Sequence, residues 1–339
     1  MVKIDGRLIA RYEPPYIVAE ISGNHYGSME AAVELIKAAK NSGANAVKFQ
    51  CYEPSTITID CDKDDFIIKS GPWKGRKLFE LYEKAYTPFP WFEDLFQIAK
   101  DQGITAFASV FDATSIELME ALGCPAYKIA SMEIVDIPLI KRAAETGKPI
   151  IVSTGMATMN EVQEAVDEVG MKVIPLACVS GYPTPASEFD LPKLRYLISS
   201  YGDVGISDHT TDSVIPIAAT ALGACVIEKH LCLSRTDPIE DKAFSMEPGE
   251  FSKMCRDVRT TWEAMQTKKP APLIESSREL RRSLYVVQDM KAGDVFTEAN
   301  VRSIRPFHGL PPRDLPNILG QKAKIDIERG TALRRMMVE

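Results

Sequence analysis

Tyr16-Ile-Val-Ala-Glu-Ile-Ser22, the segment Ser28–Asn41 and Ala46-Val-Lys-Phe-Gln-Cys51 follow one another near the amino terminus, and their reading decides the fold. The outer two are short, apolar and β-branched, the composition of a buried strand, while the middle one places its apolar residues at helical spacing. The same unit recurs along the chain. Further strand-like runs are Ile104–Ser109, Ala126–Ala130, Pro149–Ser153, Lys172–Cys178, Asp203–Ile206 and Cys225–Lys229, and amphipathic segments such as Phe92–Asp101, Thr114–Ala121, Ile137–Thr146 and Asn160–Val169 lie between them. Eight strands alternating with helices over about 250 residues predict an α/β fold, a (β/α)8 barrel. Gly43, Gly103 and Gly147-Lys-Pro149 punctuate the helix ends where such joints belong.

The barrel occupies residues 1–265 of the 339. Gln266-Thr-Lys-Lys-Pro-Ala-Pro272 opens a linker, 266–282, and a small β-rich unit follows over 283–339. Its runs Leu284–Val287, Val301–Ile304 and Ala323–Ile327 are separated by turn signals. So few residues make a poor independent core, so this unit is expected to pack on something larger. The longest interruption of the barrel pattern, Glu53–Pro90, comes after the second strand. On this fold the loops after strands build the catalytic face.

Composition bounds the function classes. A net charge of −7 disfavours nonspecific nucleic-acid binding, which needs a basic surface. The amino terminus lacks the apolar run of a signal peptide, and the longest apolar stretch, Val214–Ile227, is too short to span a bilayer. Seven cysteines without a CxxC pair point to reduced thiols and a cytoplasmic protein; Cys178 and Cys225, in strand-like runs, read as core.

Polar residues gather at the carboxyl ends of the strands. Period-two alternation puts Glu20 with Ser22 and Lys48 with Gln50, and the next ends offer Lys128, Ser131 and Glu133. The remaining ends lead to Ser153, to Ser180-Gly-Tyr182, to Ser207-Asp-His209 and to Glu228-Lys-His230. At any one strand end a salt-bridged surface residue is the better reading; at eight together it is not. Lys48 and Lys128, with hydroxyls from Ser131, Ser153 and Ser207, suit a carboxylate and a phosphate. His209 and His230 are candidate ligands for a divalent metal, leaving positions for water and a substrate oxygen. His25 is expected to be solvated or to stand behind the site.

These segments resemble the sialic-acid synthases, in which a phosphoenolpyruvate-condensing barrel precedes an antifreeze-like (SAF) domain. The matching runs are Ile17–His25, Tyr127–Ser131, Val152–Met156, Tyr182–Pro185, Gly205–His209 and Val226–His230, and the likeness extends over essentially the whole chain. The resemblance implies that Lys48, Ser109, Lys128, Ser131, Ser153, Ser180 and Ser207 hold phosphoenolpyruvate. It implies that Glu20, Tyr182 and Asp241 meet an amino-sugar aldehyde, and that His209 and His230 bind Mn2+ or Mg2+. Ser180 departs from the Asn common in relatives, and Ser109-Val-Phe from a Ser/Thr-Pro-Phe run. Glu133 is the candidate general base for the attacking water. The resemblance also implies a domain-swapped homodimer in which Arg305 contacts the sugar's N-acetyl group. Asp64–Lys69, Gly71–Tyr82 and Ile239–Ser245 resemble the pseudaminic acid synthases within this group, which makes 2,4-diacetamido-2,4,6-trideoxy-L-altrose the expected sugar. Two rivals remain at this point: a Schiff-base aldolase using Lys128 or Lys229, and a glycan- or ice-binding protein.

Overall fold

The computed structural model describes residues 2–266 and 276–339. The chain divides into two compact units at residue 265, each with its own hydrophobic core. Most of the segment read as a linker lies outside the described residues.

The first unit opens on a hairpin of β1 (Val2–Ile4) and β2 (Arg7–Ile9), whose Val2, Ile4 and Ile9 are buried. Eight parallel strands then close into a barrel: β3 (Tyr16–Glu20), β4 (Ala46–Cys51), β5 (Thr105–Val110), β6 (Tyr127–Ile129), β7 (Ile150–Ser153), β8 (Val173–Cys178), β9 (Gly205–Asp208) and β10 (Val226–His230). β10 closes onto β3 with His230 opposite Glu20. Because both faces are covered, the strands are buried almost throughout and read as apolar runs interrupted only near their carboxyl ends.

The helices begin and end where local chemistry dictates. In α1 (Met29–Ser42) the Ser28 hydroxyl accepts from Ala31 N, and Gly43 takes the left-handed conformation that ends the helix. Ala32, Leu35, Ile36 and Ala39 give it one buried face. The helix α2 (Pro54–Ile57) and α3 (Leu78–Ala85) sit within the long loop after β4, and α4 (Phe92–Asp101), α5 (Ala113–Ala121), α6 (Ile137–Glu145) and α7 (Met159–Val169) follow within a residue or so of their predicted bounds. Three more, α8 (Leu191–Tyr201), α9 (Val214–Leu222) and α10 (Pro248–Met265), complete the layer. No helix among the described residues is long and apolar enough to cross a membrane.

The second unit pairs β11 (Ser283–Val286) with β12 (Val301–Ile304) antiparallel and adds the short α11 (Leu315–Ile318). The run Ala323–Ile327 forms isolated bridges, Ala323 to Val338 and Met290 to Ile327, in place of a third strand. Leu284, Val286, Phe296, Ile318 and Leu333 are the centre of its core.

Candidate active site

At the carboxyl mouth of the barrel, one pocket is lined by Glu20, Lys48, Ser109, Lys128, Ser131, Glu133, Ser153, Tyr182, Ser207, His209, His230 and Asp241. The strands deliver these side chains by alternation. Glu20 is opposite Lys48, Lys128 opposite Ser109, and Ser207 opposite Glu228 in the barrel register. Ser180 stands just behind the wall, its buried hydroxyl facing Gly155, where a Cβ would come within 2.3 Å of that oxygen and 2.9 Å of the Ser131 hydroxyl. Only glycine permits this approach, and the Gly155 amide donates to Ser131 Oγ at 3.0 Å. Arg305 belongs to the second unit, on an exposed stretch from Ile304 to His308.

The electrostatic centre is a residue to which the sequence reading gave no role. Glu228 accepts from Lys128 at 2.7 and 2.9 Å, from Lys48 at 2.9 Å and from Ser207 at 2.9 Å. Burial alone would raise this carboxyl, but Lys128 and Lys48 outweigh it and hold Glu228 well below the usual carboxylate range. Glu20 pairs with Lys48 at 3.0 Å and accepts from Gln50 at 3.2 Å; burial and the neighbouring Glu228 raise it. Burial and the nearby Lys48 bring Lys128 down to about 8 in spite of Glu228. Two ammonium groups are thus held side by side in a buried site, ready for an anion with more than one charge.

Beside them the rings of His209 and His230 lie 5.4 Å apart. His209 Nδ1 is 3.0 Å from the Val179 carbonyl oxygen, which fixes a proton on that nitrogen, so Nε2 offers its lone pair when the ring is neutral; burial lowers the ring's pKa, but Cys178 and that carbonyl outweigh it and raise it. His230 Nδ1 is buried without a hydrogen-bond partner, 3.5 Å from Asp241 Oδ2. Burial, with His209 adding, pushes the His230 pKa well down, so its ring is neutral. Burial raises Asp241 to about 7 against a hydrogen bond from Ser22, itself held at a φ of 36°. Among the described residues no three His, Cys, Asp or Glu side chains converge on a single point. Two imidazole nitrogens with a carboxylate beside them nevertheless suit a divalent ion that completes its shell with water and substrate oxygens.

A different kind of wall faces the histidines. Phe244 meets His209 and His230 edge-on, and Tyr182 covers His209 at 4.4 Å. The long loop after β4 folds over this corner: Trp73 contacts Tyr182 at 5.9 Å and Phe244 at 6.4 Å, and Arg76 pairs with Glu240 at 2.5 Å. Glu133, on the opposite side with Met132 and Tyr82, has one carboxylate oxygen buried without a partner. Burial raises its pKa to about 7.

One sequence reading needs correction, and two open alternatives are narrowed. Cys178 lines the pocket, its sulfur 4.0 Å from His209 Nδ1, whereas Cys225 is core as read. Burial opposes ionisation of Cys178, but His209, Ser131 and Lys128 together outweigh it and lower the thiol. His25 is fully buried, 3.0 Å from Thr87 Oγ1 and edge-on to Trp91, so it braces the loop and is not solvated. Lys229 lies on the face of β10 away from the pocket, paired with Asp208 at 2.6 Å, so it has no access to a carbonyl substrate.

The chain is 41% identical over 329 residues to a pseudaminic acid synthase of Helicobacter pylori, covering 95% of this chain and 97% of that protein. It is 33% identical over 329 residues to an N,N'-diacetyllegionaminic acid synthase of Campylobacter jejuni, covering 94% of this chain and 98% of that protein. The crystal structure of an N-acetylneuraminic acid synthetase from Leptospira borgpetersenii in complex with citrate superimposes with a TM-score of 0.72 at 29% identity, covering 82% of this chain and 96% of that one. Residues 281–339 match the SAF domain, residues 35–270 match the NeuB family, and the chain belongs to that family.

Proposed function

We propose that this chain joins phosphoenolpyruvate to 2,4-diacetamido-2,4,6-trideoxy-L-altrose and water, giving pseudaminic acid and phosphate. One observation carries the reading. Buried Lys48 and Lys128 share Glu228 beside the paired rings of His209 and His230, in a chain similar over 95% of its length to a pseudaminic acid synthase.

In this reading Lys48 and Lys128, with Ser109, Ser131, Ser153, Ser180 and Ser207 around them, take the carboxylate and phosphate of phosphoenolpyruvate. Glu228 keeps both ammonium groups charged and in place before substrate arrives. Glu20, Tyr182 and Asp241 orient the open-chain sugar so that its aldehyde carbon faces C3 of the enol ester. A new C–C bond forms there as the aldehyde's π pair moves onto its oxygen, which takes up a proton to become a hydroxyl, and the electron-poor C2 left behind is attacked by water. Glu133 removes the proton from that water, and the tetrahedral carbon then expels phosphate. His209 and His230, with Asp241 adjacent, would hold Mn2+ or Mg2+, which supplies Lewis-acid polarisation of the aldehyde oxygen.

The choice of sugar rests on the aromatic corner. Trp73, Tyr182 and Phe244 offer an apolar wall to the C6 methyl and the acetamido methyls, where N-acetylmannosamine would present hydroxyls. Such apolar contacts discriminate by about 1–3 kcal/mol, with polar contacts to the acetamido groups adding to that. The active form in this reading is a homodimer in which the small unit of one protomer caps the partner's barrel and Arg305 meets an N-acetyl group. The exposed Ile304–His308 stretch, with Phe307 43% accessible, supports this as a contact surface. The seven free cysteines support a cytoplasmic location.

The test is phosphate release from phosphoenolpyruvate against a panel of amino-sugar aldehydes. The altrose derivative should give the highest kcat/KM. A clear preference for N-acetylmannosamine or the legionaminic precursor would overturn the substrate assignment, and release without any sugar would overturn the condensation itself.

A further inference from the structure

Three fully or nearly fully buried polar residues take no part in the pocket described above. Lys229 and Asp208 are 0% exposed and Thr210 is 2% exposed. They lie behind the barrel wall, since Glu228 and His230 point into the pocket and Lys229 alternates to the other face of β10. That layer is mostly apolar core, where a charge is costly unless paired.

The pairing is complete. The Lys229 ammonium donates to Asp208 Oδ2 at 2.6 Å, to the Thr210 hydroxyl at 3.3 Å and to the Thr210 carbonyl oxygen. Asp208 in turn accepts from the Thr210 amide at 3.0 Å and from its hydroxyl at 3.0 Å. Every member of this network is a sequence neighbour of one of the two histidines. Asp208 and Thr210 flank His209, and Lys229 precedes His230.

The position along the strands matters. Asp208 opposite Lys229 is the last rung between β9 and β10, so His209 and Thr210 lie beyond the ladder. Their backbone is held by the Thr184 amide donating to the His209 carbonyl at 3.0 Å and by the Lys229 network. A buried ion pair contributes little net stability over an apolar pair of equal volume, because desolvation offsets the attraction. What it does impose is a fixed separation, since one ammonium with three acceptors tolerates little displacement.

We propose that Asp208, Thr210 and Lys229 are positioning residues, a side-chain tie that sets the separation of His209 and His230 for a divalent ion. This rests on the reading of the two histidines as metal ligands. It also gives Lys229 a role that needs no access to substrate.

The test uses the full chain and Mn2+ alone. In the double variant Asp208→Asn/Lys229→Met both charges go at nearly constant volume, so neither is left unpaired. Mn2+ affinity is read by electron paramagnetic resonance of the free ion, alongside thermal melting and the KM for phosphoenolpyruvate. We expect a cooperative melt, an unchanged KM for phosphoenolpyruvate and Mn2+ binding weakened by about 10–100-fold, the range seen when residues behind a metal ligand are removed. A purely structural role would lower the melting temperature and leave the affinity of the folded protein untouched, which would overturn the proposal. Thr210→Val, which keeps the ion pair and the carbonyl contact, stands in if the double variant does not fold. It should weaken Mn2+ binding in the same direction, and wild-type affinity there would overturn the proposal equally. A wild-type protein that binds no Mn2+ would overturn the metal reading and this inference with it.

Discussion

Replacing Glu133 by Gln should remove most of the activity and at the same time make the protein more stable at alkaline pH. The carboxyl is displaced from an ordinary 4.5 to about 7, first by burial, with Asp136 adding and a backbone hydrogen bond opposing. A folded-state pKa above the unfolded one means that the protonated form is favoured on folding. That stabilisation is fully present below the unfolded pKa and is lost as pH rises through about 7. A displacement of about 2.5 pH units at about 1.36 kcal/mol each sets an upper bound of about 3.4 kcal/mol, reduced by the solvent at its accessible edge. Gln mimics the protonated carboxyl and keeps this contribution at pH 8. The variant should therefore melt several degrees higher than wild type at pH 8, and the gap should close toward pH 5. The activity side follows from the same number. A base that titrates near 7 is ionised in about a tenth of molecules at pH 6, so wild-type kcat/KM should fall about tenfold for each pH unit below 7. Loss of a general base costs about 10²–10⁴-fold, and the acid limb should vanish with it. Phosphate release measured from pH 5.5 to 9 on both proteins, with melting curves in the same buffers, decides the matter. Near-wild-type turnover in the Gln variant, or an acid limb that persists in it, would refute the assignment of Glu133 as the base.

Two further outcomes are expected. His209→Ala and His230→Ala should each reduce turnover by about 10²-fold or more, the scale of lost Lewis-acid assistance, while their melting temperatures stay close to wild type; unfolding of both, or full activity after chelation, would reject the ligand assignment. Mixing inactive His209→Ala and inactive Arg305→Ala subunits should restore part of the activity, measured by phosphate release on isolated mixed dimers, and inactivity in those dimers would count against the swapped arrangement.

The barrel was legible because its physics is local. A strand buried on both faces must be apolar and β-branched along its length, so runs such as Pro149–Ser153 announce themselves without knowledge of their neighbours. Pro192 and Pro216 interrupt the helical pattern of α8 and α9 in the sequence, although both fall in a first turn, where no amide donor is needed. The amino-terminal hairpin escaped because three-residue strands carry too little pattern. At the site, the lysines, hydroxyls and histidines could be gathered from strand ends alone. Glu228 could not be assigned, since a carboxylate in an anion site looks wrong until Lys48 and Lys128 are seen to converge on it. Its place two residues before His230 was the available signal. Trp73 and Phe244 lie far apart in sequence, and only the folding of the long loop brings them together.

The pairing of Glu228 and Glu20 against Lys48 and Lys128 has a consequence for selectivity among anions. The formal charges of Lys48 and Lys128 are balanced by those of Glu228 and Glu20, inside a chain of net charge −7. Bystander phosphate or sulfate therefore gains little from long-range attraction and must displace a carboxylate that is already well bound. Only a ligand that reaches both ammonium groups and the surrounding hydroxyls at once recovers what that displacement costs. Discrimination then falls to the span and shape of the anion, while its charge alone counts for little.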